Sequence, residues 1–202
     1  MIKIILFDCD GVIVKKHRRF SQILLSEFGI TREQTDSFYK WVFLDCEKGR
    51  ADLKAELPKF LKEWQWRGSI DDFMKIWFEM ENELDEEMVN AIKNFRVFGT
   101  KCYLSTNNEK YRTEYLTNIV GLKIFLDGVF SSCYLGFLKP QLEFWHEIYK
   151  NFPEVQKEQI LVWDDAQSAI DSAKEFGLNA EFYNDFSSFK KVMEEKYQLK
   201  VE

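Results

Sequence analysis

Ile4-Ile5-Leu6-Phe7-Asp8-Cys9-Asp10-Gly11-Val12-Ile13-Val14 is an apolar run interrupted by two carboxylates and a glycine. The apolar residues before Asp8, rich in isoleucine, read as a strand buried on both faces. Asp10-Gly11 supplies the soluble, turn-forming end that such a strand needs. Two acidic side chains at the mouth of a buried strand are costly unless a cation sits beside them. That cost marks the stretch as the first candidate for a site.

A second run of the same kind, Gln159-Ile160-Leu161-Val162-Trp163, also ends in two carboxylates, Asp164-Asp165. Shorter strand signals lie at 101–106, 129–131 and 180–183, with helical spacing between them. Strands alternating with helices imply a parallel α/β sheet, Rossmann-like, with helices on both faces. Between the first strand and residue 96 the pattern is helical throughout. The expected organisation is an α/β core of residues 1–14 and 96–202 with an inserted α-helical cap subdomain of residues 15–95. Inside the cap, spacing puts Phe38, Trp41, Val42 and Leu44 on one buried face. Pro58 is expected to kink or split a helix that opens at Asp52. Ser69 to Asp72 reads as an N-cap. Beyond the cap, Tyr111, Tyr115, Leu116 and Ile119 are the expected apolar positions of a polar helix.

Composition narrows the class. The chain has 202 residues and a net charge of −6, with no long basic run. Nucleic-acid and membrane-surface partners therefore lack electrostatic support. The apolar segment before Asp8 is too short for a signal peptide or a membrane span. Four cysteines, Cys9, Cys46, Cys102 and Cys133, show neither a CxxC pair nor metal-type spacing with the two histidines, His17 and His146. They read as reduced thiols, which suggests a cytoplasmic protein. The oligomeric state, monomer or homodimer, is open.

In open α/β sheets, ligands sit outside the carboxyl ends of the strands. Those ends are chemically loaded here: Asp8 and Asp10, then Ser105, Thr106 and Asn107, then Lys139-Pro140, then Asp164 and Asp165. Carboxylates converging on one rim repel one another. A hard divalent cation such as Mg²⁺ resolves the repulsion. A lysine on the same rim suits an anionic substrate. Carboxylate, Mg²⁺, hydroxyl and lysine together suggest phosphoryl transfer with an aspartate nucleophile. An EF-hand reading fails, because the fifth and twelfth positions counted from Asp8 are Val12 and Arg19.

Asp8-Cys9-Asp10-Gly11-Val12, Leu104-Ser105-Thr106-Asn107, Lys139-Pro140 and Trp163-Asp164-Asp165 together resemble the four ordered motifs of the haloacid dehalogenase superfamily. The wider likeness runs from about residue 99 onward and includes Arg112, Tyr115 and Gly121. The resemblance implies an aspartyl-phosphate formed on Asp8, with Asp10 as general acid and base. It implies a phosphate contact from Thr106, with Ser105 as the competing alignment and Asn107 beside it. It implies charge neutralisation by Lys139. Mg²⁺ would be held by Asp8, the backbone carbonyl of Asp10, and an acid from Asp164-Asp165. The dehalogenase branch typically lacks the Asp at the position of Asp10, so the expectation is a phosphatase acting on a small phosphorylated metabolite. A phosphomutase of the same fold, or a weakly catalytic binding module, is the alternative. A basic cluster, Lys48, Arg50 and Lys54, reads as a solvated helix end, with reading of a substrate anion as the alternative.

Overall fold

The computed structural model describes residues 1–15 and 20–201; His17 lies outside the described residues. In chain order its elements are β1 (Ile4–Phe7), α1 (Phe20–Phe28), α2 (Arg32–Ser37), α3 (Phe43–Glu47), α4 (Leu53–Glu63), α5 (Ile70–Met80) and α6 (Glu86–Val97). Then come β2 (Lys101–Thr106), α7 (Lys110–Glu114), β3 (Gly128–Ser131), α8 (Ser132–Leu135), α9 (Leu142–Tyr149), β4 (Ile160–Asp164), α10 (Gln167–Phe176), β5 (Asn179–Phe182) and α11 (Phe186–Glu195). The strands form one sheet in the order β3-β2-β1-β4-β5. Every pairing is parallel, as expected for a Rossmann-like α/β fold.

β1 is central and covered on both sides. Successive side chains of a strand point to opposite faces. Ile4 and Leu6 join Phe144, Trp145, Ile160 and Val162 on the face covered by α9 and α10. Ile5 and Phe7 join Ile92, Phe95, Trp163 and Phe189 on the face covered by α6 and α11. No β1 side chain is more than 3% exposed. Each such side chain contributes about 1.5–3 kcal/mol of burial. The strand ends at Phe7, earlier than the apolar run does. Beyond it the Cys9 carbonyl accepts the amides of Val12, Ile13 and Val14, which folds residues 9–14 into a tight turn.

A separate aromatic cluster fills the helical insertion, with Phe20, Phe38, Trp64, Phe73 and Trp77 among its buried members. The insertion leaves and rejoins the core side by side. Lys15 N–H donates to the Glu83 carbonyl, and Asp85 N–H donates to the Ile13 carbonyl. One boundary differs from the expectation. Met88, Val89, Ala91, Ile92 and Phe95 of α6 pack in the sheet cluster, not in the cap cluster. A helix is assigned by what its apolar face covers, and periodicity does not say which core that is.

Two expected buried positions are exposed: Trp41 is 73% exposed and Ile119 is 74% exposed. Both lie in π-helical turns, Phe38–Val42 and Tyr115–Ile119. An i→i+5 turn admits an extra residue and slips the 3.6-residue spacing. Pro58 neither splits nor ends α4, which runs from Leu53 to Glu63. Pro58 is on the exposed side, where water can solvate the carbonyl that its missing N–H leaves open. Ser69 and Asp72 form the reciprocal capping box.

Gly49 is where the insertion presses on the core. Its φ is +65°, and a Cβ there would lie 2.1 Å from the Cys133 carbonyl oxygen. Gly49→Ala should therefore lower stability by about 2 kcal/mol, from the left-handed backbone and the clash together. Urea denaturation measures this; a loss below about 0.5 kcal/mol would show that the contact is not tight.

Candidate functional site

Asp8 follows β1 directly, and its N–H donates to the Trp163 carbonyl at 2.9 Å, so the strand pairing holds it beside β4. Asp164 is the last residue of β4 and is fully buried. Lys139 lies on the loop before α9 and joins the two: its Nζ donates to Asp8 Oδ1 and to Asp164 Oδ2, both at 2.6 Å. The lysine backbone is clamped as well. Its N–H donates to Asn107 Oδ1 at 2.9 Å, and its carbonyl accepts from Ser172 Oγ at 2.6 Å. Asp164 Oδ1 accepts the Ala166 amide, and Asp8 Oδ1 accepts the Cys9 amide.

Asp165 completes this group. Asp8, Asp164 and Asp165 each bring a carboxylate oxygen within 4.8 Å of the others. Gly11 leaves the room: a Cβ at its position would lie 2.6 Å from Asp165 Oδ2. Lys139 brings one positive charge to the two carboxylates it bonds, which leaves one negative charge when both are ionised. All three donors are hard oxygens. This set fits a hard divalent cation. In its absence, burial pushes the Asp8 carboxyl upward, against the pull of Lys139. Burial also opposes the charge on Lys139, but Asp8 and Asp164 outweigh it and hold its pKa above the usual lysine value.

Asp10 is held apart from that set. Its Oδ1 accepts from Arg112 Nη2 at 3.0 Å and its Oδ2 from Asn108 Nδ2 at 3.1 Å. Asn108 Nδ2 also donates to Thr106 Oγ1 at 2.7 Å. Arg112 is only 4% exposed. It also donates to the carbonyls of Phe78 and Glu81 at the end of α5, so one guanidinium ties Asp10 to the insertion.

A cavity of about 200 Å³ is lined by Asp8, Asp10, Thr106, Asn107, Lys139 and Pro140. Strand alternation decides between the two adjacent hydroxyls. Thr106 faces this cavity, whereas Ser105 is fully buried with an unpartnered Oγ and does not line it. Ser105 is therefore not brought into the site. Asn107 is, although its side-chain oxygen is already engaged with the Lys139 backbone. Arg112 was visible as part of the wider resemblance but not as a site residue, and Asn108 carried no signal beyond following Asn107. Their partners are distant in sequence, so no local pattern reveals them.

A larger chamber of about 920 Å³ opens on Asp10, Asn107 and Asp165 and runs between the core and the insertion. Lys48, Arg50 and Lys54 do not line it; Lys54 pairs with Asp71 at 2.7 Å. Among the described residues no helix is long and apolar enough to cross a membrane. All four cysteines are free thiols.

The family model for haloacid dehalogenase-like hydrolases matches residues 2–177. No curated protein matches the chain. Solved structures share its fold. A HAD family enzyme from Bacteroides thetaiotaomicron, in complex with magnesium and inorganic phosphate, superposes with a TM-score of 0.78 at 16% identity, covering 94% of this chain and 99% of that one. A predicted HAD-like family hydrolase from Porphyromonas gingivalis gives 0.75 at 21% identity, covering 97% and 100%. L-2-haloacid dehalogenase from Xanthobacter autotrophicus, with chloropropionic acid covalently bound, gives 0.65 at 15% identity, covering 97% and 84%.

Two outcomes follow from the buried charges. Arg112→Ala strips a guanidinium from Asp10 and donors from two carbonyls, and should destabilise by about 2–4 kcal/mol in urea melts. A neutral result would mean that water replaces the guanidinium. Glu47 and Glu109 are both pushed up to about 7, burial being the main cause. An unfolded Glu titrates near about 4.3. Between these values the native state keeps protons that the unfolded chain has lost, so stability falls as pH rises through the window. Glu47→Gln removes one such group. With chelator present, the variant should gain melting temperature relative to wild type between about pH 5 and about pH 8; a constant difference would contradict the assignment.

Proposed function

The chain belongs to the haloacid dehalogenase-like hydrolases, and from that premise we propose that it is a Mg²⁺-dependent phosphatase acting on a small phosphorylated metabolite. The observation that carries the reading is Asp10. A carboxyl group two residues beyond the nucleophile, held by Arg112 and Asn108 with its side chain still 47% exposed, stands at the junction of the small cavity and the large chamber. An alkoxide leaving from phosphorus needs a proton at that junction, whereas a departing halide does not.

In the first half-reaction an Asp8 oxygen forms the new bond to phosphorus, and the bond to the alcohol oxygen breaks. Asp10 gives its proton to that oxygen. In the second half-reaction a water oxygen attacks the same phosphorus, Asp10 takes up the water proton, and the bond to Asp8 breaks. Phosphate leaves and both carboxyl groups return to their starting states. Lys139 Nζ, anchored on Asp8 and Asp164, neutralises charge at the nucleophile throughout. Thr106 Oγ1 lines the phosphoryl cavity and can hydrogen-bond a phosphoryl oxygen. Asp8, Asp164 and Asp165 are the residues that would hold Mg²⁺, with the Asp10 backbone carbonyl as the further oxygen ligand that the family resemblance implies. When bound, the ion supplies Lewis-acid stabilisation of phosphoryl charge and offsets the excess of carboxylates. The magnesium and phosphate in the Bacteroides relative support this reading.

Phosphate release from p-nitrophenyl phosphate, with Mg²⁺ and with chelator, tests the proposal. Activity should need the metal; equal rates in both would remove the metal from it. Asp8→Asn should lower kcat by at least about 1,000-fold, as expected for loss of a nucleophile. Circular dichroism would confirm that the fold persists. Retained turnover in a folded variant would exclude Asp8 as the nucleophile.

A further inference from the structure

We propose that the large chamber receives the alcohol part of the substrate, and that Glu47 and Tyr39 select an alcohol bearing a hydrogen-bond donor and no second anionic group. The donor is a hydroxyl or an ammonium; the inference rests on the phosphatase reading above. The chamber opens on Asp10, the group that protonates the departing alcohol, and its volume of about 920 Å³ exceeds the 200 Å³ of the phosphoryl cavity. An organic leaving group therefore has space where its oxygen would emerge.

An aromatic cluster forms one part of the wall, among charged and polar side chains. Trp77 stacks on Phe20 at 5.3 Å and meets Phe43 at 5.1 Å and Tyr39 at 6.0 Å. Tyr39 and Glu47 are two of the polar residues that line the chamber. Tyr39 Oη is buried and makes no hydrogen bond. A buried hydroxyl without a partner is rare and calls for one. Glu47, the last residue of α3, lines the chamber and has neither a hydrogen bond nor an ion pair among the described residues. Its carboxylate lies close enough to Asp10 and Lys139 to feel both charges.

Each described cation that lines the chamber has a carboxylate partner, although Arg32 and Lys40 share one. Lys15 pairs with Glu83, Arg32 and Lys40 with Asp36, and Arg112 with Asp10. The Glu47 carboxylate and the Tyr39 phenol thus stand without partners beside them. A donor on the alcohol can satisfy Glu47, and Tyr39 can either give or accept a hydrogen bond. A carboxylate or second phosphate there would face an ionised Glu47 with like charge. Selection of this kind, by a repulsive group as well as an attractive one, sets the difference between two affinities.

Four esters test the inference on the full chain with Mg²⁺. They are p-nitrophenyl phosphate and three butyl phosphates of equal length, ending in a hydroxyl, an ammonium or a carboxylate. We expect kcat/KM for the hydroxyl or ammonium ester to exceed that for the carboxylate ester by at least about tenfold. Glu47→Gln should raise kcat/KM for the carboxylate ester by about tenfold, a gain that a merely structural defect would not give. Tyr39→Phe should raise KM for the preferred ester more than it lowers kcat. Wild-type preference for the carboxylate ester, equal rates on all three, or a parallel loss on every ester in Glu47→Gln would overturn the inference while leaving the phosphatase reading intact. No phosphate from any of the four, p-nitrophenyl phosphate included, would remove that reading and the inference with it.

Discussion

One ammonium group holds the ends of two buried strands. Lys139 Nζ lies 2.6 Å from both Asp8 and Asp164, which close β1 and β4 in the middle of the sheet. Without it, two carboxylates would sit buried and adjacent with no counter-charge, a cost that the apolar strands alone could not carry. Its loop is fixed from two further sides, by Asn107 and by Ser172. Ser172 is in turn fixed by Trp145 in the core. The lysine backbone is therefore tied both to the end of β2 and to the core. Yet one ammonium answers only one of the two charges it bonds, and Asp165 brings a third carboxylate oxygen within 4.8 Å, a set of hard donors that suits a divalent cation.

A second cation organises the other half. Arg112 connects Asp10 to the carbonyls of Phe78 and Glu81, and its ring-facing side packs on Phe78 at 5.8 Å. Burial opposes its charge, but its neighbours, Asp10 foremost and Glu81 among them, together outweigh burial, and the guanidinium stays above its ordinary pKa. The geometry makes the position of Asp10 depend on where the insertion sits. Lys139 thus belongs to the sheet alone, whereas Arg112 belongs to the contact between sheet and insertion. The two aspartates of Asp8-Cys9-Asp10 are separated in role by the different cations that hold them.

Much of this was legible in the chain. A buried strand shows itself as a continuous apolar run, and Ile4–Phe7 and Ile160–Trp163 are such runs whatever surrounds them. Carboxylates at both strand ends announced that their charge had to be met. Local signals also carried through: the N-cap read at Ser69 forms, completed by Asp72 as a capping box. Where the reading failed, the deciding contact was distant or the helix was irregular. Trp41 and Ile119 lie in π-helical turns that break the spacing on which burial was judged. The α6 face is apolar in either core, so its pattern could not say that it covers the sheet.

The sequence by itself determined the order and type of the strands, the residues that end them, and the need for a cation among them. These follow from local apolar patterning and from the cost of burying charge, which no later contact can cancel. Tertiary structure alone decided which hydroxyl of Ser105-Thr106 faces the cavity, that Asn108 and Arg112 share the Asp10 carboxylate, and that Glu47 and Tyr39 line the chamber beside it. Asp10 and Arg112 are 102 residues apart in the chain, and the pairing of β1 with β2 is what brings them within hydrogen-bonding reach.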